Sequence, residues 1–195
     1  MGINMKKIIL LALPIILVGL FLCGYVINNL DNRNKNGTDN NEMNAYEETL
    51  QAAEELNKNS NLGVTLLQAC NERGTFNPQA PVGGLLGKEK VDGSFYYFPY
   101  PYDKSQKITE SDCILNQLYL YSSKYNVFGI KVGDMKDSVV EIMKTYGYTE
   151  NAEKDPYYEA QGIKSLLYEN YDIHIRFFLR DDIAGTIDEI FIWIG

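Results

Sequence analysis

The segment "YDIHIRFF", residues 171–178, gathers the side chains with the widest chemical reach. His174 is the single histidine of the chain, with Asp172 and Arg176 two positions to either side. In an extended strand alternate residues share a face. Asp172, His174, Arg176 and Phe178 then point one way, and Ile173, Ile175, Phe177 and Leu179 the other. A histidine beside a carboxylate can serve as a general base or a pH sensor. No serine or cysteine nucleophile is assigned to it by the sequence, so a hydrolase triad is set aside. The plainer reading is a polar histidine on the open face of a sheet.

A second stretch, "GIKVGDMKDSVVEIMKTYG" at 129–147, has the outline of a phosphate loop leading into a helix. A Walker loop needs a lysine followed by Ser or Thr at the helix start. Here Asp134 stands at the expected cap, where its carboxylate fills the place an anionic ligand would need. Asp137 at the third helical position completes an Asp-based capping box, so the stretch reads as a helix start and excludes a nucleotide. The acid pairs Glu54-Glu55 and Asp181-Asp182 lack the calcium-loop spacing and read as solvated acids. Cys70 and Cys113 carry no zinc-ligand spacing; a disulfide between them is left open. No cofactor, metal or catalytic constellation emerges, and the chain is expected not to be an enzyme.

The aromatic pairs carry the strongest functional signal. Tyr119 and Tyr121 in "LNQLYLY", and Phe191 and Trp193 in "IDEIFIW", alternate with aliphatics. Each pair should share the sheet face of His174 and Arg176 and leave the aliphatics to a helix layer. Rigid aromatics and arginine are the residues enriched at binding hot spots. These six residues are therefore the expected partner-binding set, for a protein or peptide. On that expectation Trp193→Ala impairs binding more than folding, and Ile192→Ala impairs folding.

The elements that must position them form an internal repeat. "LLQACNERG" (66–74) matches "VVEIMKTYG" (139–147), and "LNQLYLY" (115–121) matches "IDEIFIW" (187–193), at nearly the same offset. The predicted stripe of the second helix is Val139, Val140, Ile142, Met143 and Tyr146, ended by Gly147. Three alternating strands follow, "IKSLLYE", "YDIHIRFFLR" and "GTIDEIFIWIG", with links short enough for an antiparallel meander. The first unit has its helix over 66–74 and "SFYYF" and "CILNQLYLY" as strands, with the Pro-Tyr loop "PYPYDKSQK" between them. Ahead of both, Met43, Tyr46, Leu50 and Ala53 mark one face of a helix over 43–58, a stalk or a docked first helix.

The N-terminus sets the location. Lys6 and Lys7 precede an uncharged run from Ile8 to Ile27, which at ~1.5 Å per residue spans about 30 Å, a bilayer core. Lysines on the near side place the N-terminus in the cytoplasm and the body outside. An uncleaved anchor, a cleaved signal and a lipoprotein modified at Cys23 are the three fates; the length of the run favours the anchor. "NNLDNRNKNGTDNNE" then reads as a flexible linker. The net charge of -8 repels phosphate backbones and disfavours nucleic acid.

The expected organisation is α+β: two tandem helix-plus-antiparallel-sheet repeats behind an N-terminal transmembrane anchor. Residues 1–27 are the stub and anchor (or signal peptide), 28–42 the linker and 43–58 the helix or stalk. Residues 59–124 form the first repeat and 125–195 the second. On the "GIKVGD…VVEIMKTYG" helix entry and exit, and the strands ending in an aromatic, the chain resembles tandem-repeat modules of the β-lactamase-inhibitor-protein-like type. It is similar also to the small BamE-like envelope lipoproteins. Stretches like "SSKYNVFGIKVGDMKDSV" occur in surface proteins of low-GC Gram-positive bacteria. The resemblance implies a binding scaffold, with helices behind a sheet and an open sheet face in front. The expected function is thus a membrane-anchored extracytoplasmic binding module, with a structural cell-envelope protein as the alternative.

Overall fold

The computed structural model describes residues 39–69, 75–77, 79, 85–101, 107–153, 155–180 and 185–195. The apolar run 8–27, most of the 28–42 linker, Cys70, Asp181 and Asp182 lie outside the described residues. Among the described residues no helix is long and apolar enough to cross a membrane.

The architecture is α+β, with one eight-stranded antiparallel sheet and few helices. Helix α1 (Asp39–Asn59) comes first, then strands β1 (Thr75–Asn77), β2 (Leu85–Lys90), β3 (Gly93–Phe98) and β4 (Ile114–Leu120). Helix α2 (Asp137–Thr145) is followed by β5 (Thr149–Asn151), the short helix α3 (Pro156–Ala160), β6 (Lys164–Asn170), β7 (Ile173–Leu179) and β8 (Ile187–Ile194). The strand order is β1-β2-β3-β4-β8-β7-β6-β5. Each run of four strands is a meander, and the last strands of the two runs meet at the centre. There Leu118 faces Ile192, Tyr119 faces Phe191 and Leu120 faces Ile190. The two strands matched in sequence, 115–121 and 187–193, are thus neighbours in space.

Period-two alternation sorts the strands into two faces. Ile173, Ile175, Phe177, Ile190 and Ile192 are fully buried on the helix side, in one core with Leu118 and Leu120. Val139 and Met143 of α2 and Ala52, Ala53 and Leu56 of α1 close the same core. Helix α1 is docked rather than a free stalk, and it begins at Asp39, inside the expected linker. Its buried stripe is Thr49, Ala52, Ala53 and Leu56; Leu50 is exposed. Small side chains there let the helix backbone approach the sheet.

Local signals at α2 hold at its end and shift at its start. Gly147 is left-handed (φ +77°). Its N–H donates to Lys144 O at 3.1 Å, and Tyr148 N–H donates to Met143 O at 3.0 Å. This is the paired closure that glycine permits at a helix C-terminus. At the other end Asp134 does not cap α2. Its carboxylate accepts Lys131 N–H at 2.9 Å and closes the preceding turn, and the N-cap is Lys136, with no side-chain bond. Within the expected stripe Val139 and Met143 are fully buried, and Val140 is exposed because the face that meets the core is centred on those two residues. Residues 66–69 are not helical: they form a turn and an antiparallel bridge from Ala69 to Ile114, with Leu67 N–H donating to Leu115 O at 2.7 Å. Pairing with β4 overrides the helix-like apolar spacing of that segment; residues 70–74 lie outside the described residues.

Candidate functional site

On the sheet face away from α1 and α2, the expected aromatic residues form one continuous stack. Tyr121 lies over Tyr119 (centroids 6.4 Å apart) and Tyr119 over Phe191 (4.1 Å, 11° between planes). Phe191 lies over Trp193 (4.8 Å), and Trp193 over His174 (4.7 Å, 9°). Tyr96 meets Tyr119 edge-on at 6.0 Å. Strand register explains the row: Tyr119 sits opposite Phe191, and Trp193 opposite His174. Cross-strand partners of this kind stabilise a sheet by roughly 0.2–1 kcal/mol each.

The stack is covered. Tyr119, Phe191 and Trp193 are 3%, 1% and 8% exposed, which corrects the expected open sheet face. These rings pack against one another, with Tyr96, Tyr121, Leu167 and Phe178 around them, as a second core. Trp193→Ala therefore removes buried ring area and costs stability as well. Tyr121, His174 and Phe178 are half-buried at the margin.

Arg176 is buried in this layer. Its guanidinium lies over Tyr158 at 4.4 Å and over Trp193 at 5.7 Å, and its Nη1 pairs with Asp155 Oδ2 at 3.2 Å. The other oxygen of Asp155 accepts Tyr157 N–H at 3.0 Å and caps α3, where Pro156 fills the first turn. The cap thus fixes the acid that neutralises the arginine. His174 is held by Glu169 (Nδ1 to Oε1, 3.1 Å), and the same oxygen accepts Asn151 Nδ2 at 3.0 Å. Asp172, the expected partner of His174, instead accepts the Tyr100 hydroxyl at 3.1 Å, because it sits in the β6–β7 turn and reaches toward the helix side.

Sequence reasoning missed Glu189, Tyr158, Asp155 and Glu169. Glu189 shares the face of Phe191 and Trp193 and sits opposite Phe178. Burial, with the neighbouring Asp188 charge, pushes its carboxyl up to about 7. Burial holds the Tyr119 hydroxyl well above its ordinary range, with Tyr158 and Glu189 adding to the effect. Tyr158 is raised by burial too, only partly offset by Arg176. Both stay neutral phenols. Tyr119 Oη, Tyr158 Oη and Arg176 Nε are buried with no hydrogen-bond partner among the described residues. The alternation that placed Phe191 and Trp193 also placed Glu189; for Tyr158, on a short helix between strands, the sequence carried no such signal.

The arrangement offers hydrogen-bonding groups inside an aromatic layer. Among the described residues no group of three or more His, Cys, Asp or Glu side chains could hold a metal ion. No protein-family model matches the chain, and neither a curated protein nor a solved structure matches it.

Proposed function

We propose that the chain is a membrane-anchored extracytoplasmic binding module that recognises a protein or peptide at its aromatic sheet face. Residues 8–27 are its anchor, with the N-terminus cytoplasmic and the body outside. The body is two tandem α+β repeats, 59–124 and 125–195, each contributing four strands and joined through β4 and β8; the first has no helix at 66–69, and the second holds α2 and α3. The pairing of Tyr119 with Phe191 supports this, since these residues are also equivalent in the sequence match and so lie where a two-fold axis would pass. The resemblance to β-lactamase-inhibitor-protein-like modules is part of the same reading. Catalysis, nucleotide and nucleic acid have no part in it.

One observation carries the proposal: Tyr119 Oη, Tyr158 Oη and Arg176 Nε are buried and unpartnered among the described residues. An unsatisfied buried polar group costs about 1–3 kcal/mol; the helix-side core also buries such hydroxyls, at Tyr148 and Tyr168, but among the described residues only the aromatic layer adds a guanidinium to them. Recognition at the half-buried margin of Tyr121, His174 and Phe178 gives such groups a use. The second reading, a structural envelope protein without a discrete ligand site, is favoured by the burial of Tyr119, Phe191 and Trp193.

Photo-crosslinking in intact cells separates the two. A crosslinking side chain at Tyr121 of the full-length chain is expected to give an adduct of defined mass. The same group at Val91, in the exposed β2–β3 turn, is expected to give none. Equal labelling at both positions, or no adduct at Tyr121, would leave the structural reading.

A further inference from the structure

The aromatic layer is closed on one side by the segment 155–163, which carries α3 and leads into β6. From Pro156 to Lys164 every residue is exposed except Tyr158. The Arg176 guanidinium lies over the Tyr158 ring at 4.4 Å, and Phe178 meets that ring edge-on at 5.1 Å. Beside it stands the Asp155–Arg176 pair at 3.2 Å. The backbone bonds of the segment close within it. Glu159 N–H donates to Asp155 O at 3.0 Å, Gln161 N–H to Tyr158 O at 3.1 Å and Ile163 N–H to Tyr158 O at 2.9 Å. Gly162 completes this closure in the left-handed conformation (φ +69°), with open space around it. Helix α3 is thus a self-contained turn whose buried hold on the sheet is one ring, with one ion pair beside it.

We propose that 155–163 is a strap that swings off the aromatic layer and uncovers Arg176 and Trp193 for the partner. The role rests on the aromatic face being the binding surface. Docked, the strap leaves Tyr158 Oη and Arg176 Nε buried with no partner among the described residues. Both reach water when it lifts, so opening returns hydrogen bonds that closure withholds. The guanidinium, 4% exposed, lies over Tyr158 and, at 5.7 Å, over Trp193. Lifting Tyr158 bares the guanidinium first and the indole beside it, two groups enriched at binding hot spots. The other face has no such cover: α1 buries Thr49, Ala52, Ala53 and Leu56 against the sheet, where α3 buries Tyr158 alone. Segments with few buried contacts open locally at a fraction of the free energy of global unfolding. The strap reconciles the burial of the rings with their use: closed, it is an autoinhibitory cover.

Hydrogen exchange on the full-length chain in detergent micelles tests the motion. Acrylamide quenching of Trp193, the single tryptophan, is the second readout. In wild type the amides of 157–163 should be protected about a hundredfold less than those of β8, or weaker still. Asp155→Asn keeps the cap, since asparagine caps as well as aspartate, and removes the charge paired with Arg176. Protection across 157–163 should then fall about tenfold further, the scale of a lost charge-assisted hydrogen bond. Trp193 quenching should rise with it. Faster exchange with unchanged quenching would mean that α3 only frays in place, and would overturn the proposal. Protection of 157–163 equal to that of β8 would overturn it in wild type, with no variant needed. The adduct formed at Tyr121 should increase in Asp155→Asn; an equal yield despite faster exchange would show that the strap does not gate the face. An adduct at Tyr121 together with a strap as protected as β8 would sink this inference alone. A strap that opens as expected, with no adduct in either protein, would sink the module reading instead.

Discussion

The two faces of the sheet are made from the same strands by opposite chemistry. Toward α1 and α2, β7 and β8 present Ile173, Ile175, Phe177, Ile190 and Ile192, all fully buried. From the intervening positions the same strands present His174, Arg176, Glu189, Phe191 and Trp193. The first set has no side-chain polar atom to satisfy, so all of its burial is gain, at about 25 cal/mol per Å². The second buries rings together with a guanidinium, a carboxylate and phenols, each of which gives back part of that gain. A sheet can carry the second face because the first holds it together. On the proposed reading, stability and recognition are separated by a single residue step along each strand.

The largest effect should come from the aliphatic face. Ile192→Ala removes a fully buried side chain beside α2, and chemical denaturation should show a loss of about 3–5 kcal/mol. A loss under about 1 kcal/mol would mean that the aromatic layer holds the fold and that the contrast between the faces is reversed.

Glu189→Gln should act in the other direction, with a sign set by pH. The carboxyl is raised from 4.5 to about 7, so the unfolded chain gives up its proton first as pH rises. Stability then falls between those two values, and the full penalty remains above 7. Glu189→Gln removes the penalty. It should stabilise the protein at pH 8 by up to about 3 kcal/mol and leave it unchanged at pH 4. Denaturant midpoints at both pH values check this; equal effects at pH 4 and pH 8 would show that the charge is not the cause.

How much of this was legible in the sequence depends on the range of the contacts. Strands β7 and β8 were readable from alternation, since one face of each is fully aliphatic. The end of α2 was readable from Gly147, whose left-handed backbone is a local requirement. The segment 66–69 misled because its apolar spacing suits a helix, and only pairing with β4, distant in sequence, decides otherwise. The site divides the same way. Tyr119, Tyr121, Phe191, Trp193, His174 and Arg176 were assigned to one face by strand period alone. Their partners Asp155, Tyr158 and Glu169 come from α3 and β6, and strand order, which alternation does not determine, brings them there. What covers the rings was not readable for that reason.

The smallest expected effect is the most discriminating for the aromatic face. Tyr119→Phe keeps the ring stacked on Phe191 at 4.1 Å and removes only the hydroxyl. That oxygen is buried and unpartnered among the described residues. A satisfied buried hydroxyl contributes about 0.5–1.5 kcal/mol, so losing it destabilises, whereas losing an unsatisfied one is neutral or stabilising. The expected change is a gain of between zero and about 1 kcal/mol in denaturant unfolding. A loss of about 1 kcal/mol or more would mean that the hydroxyl is already satisfied in the free protein. The face would then be an ordinary core layer on that side of the sheet, and its polar atoms would give no reason to look for a partner.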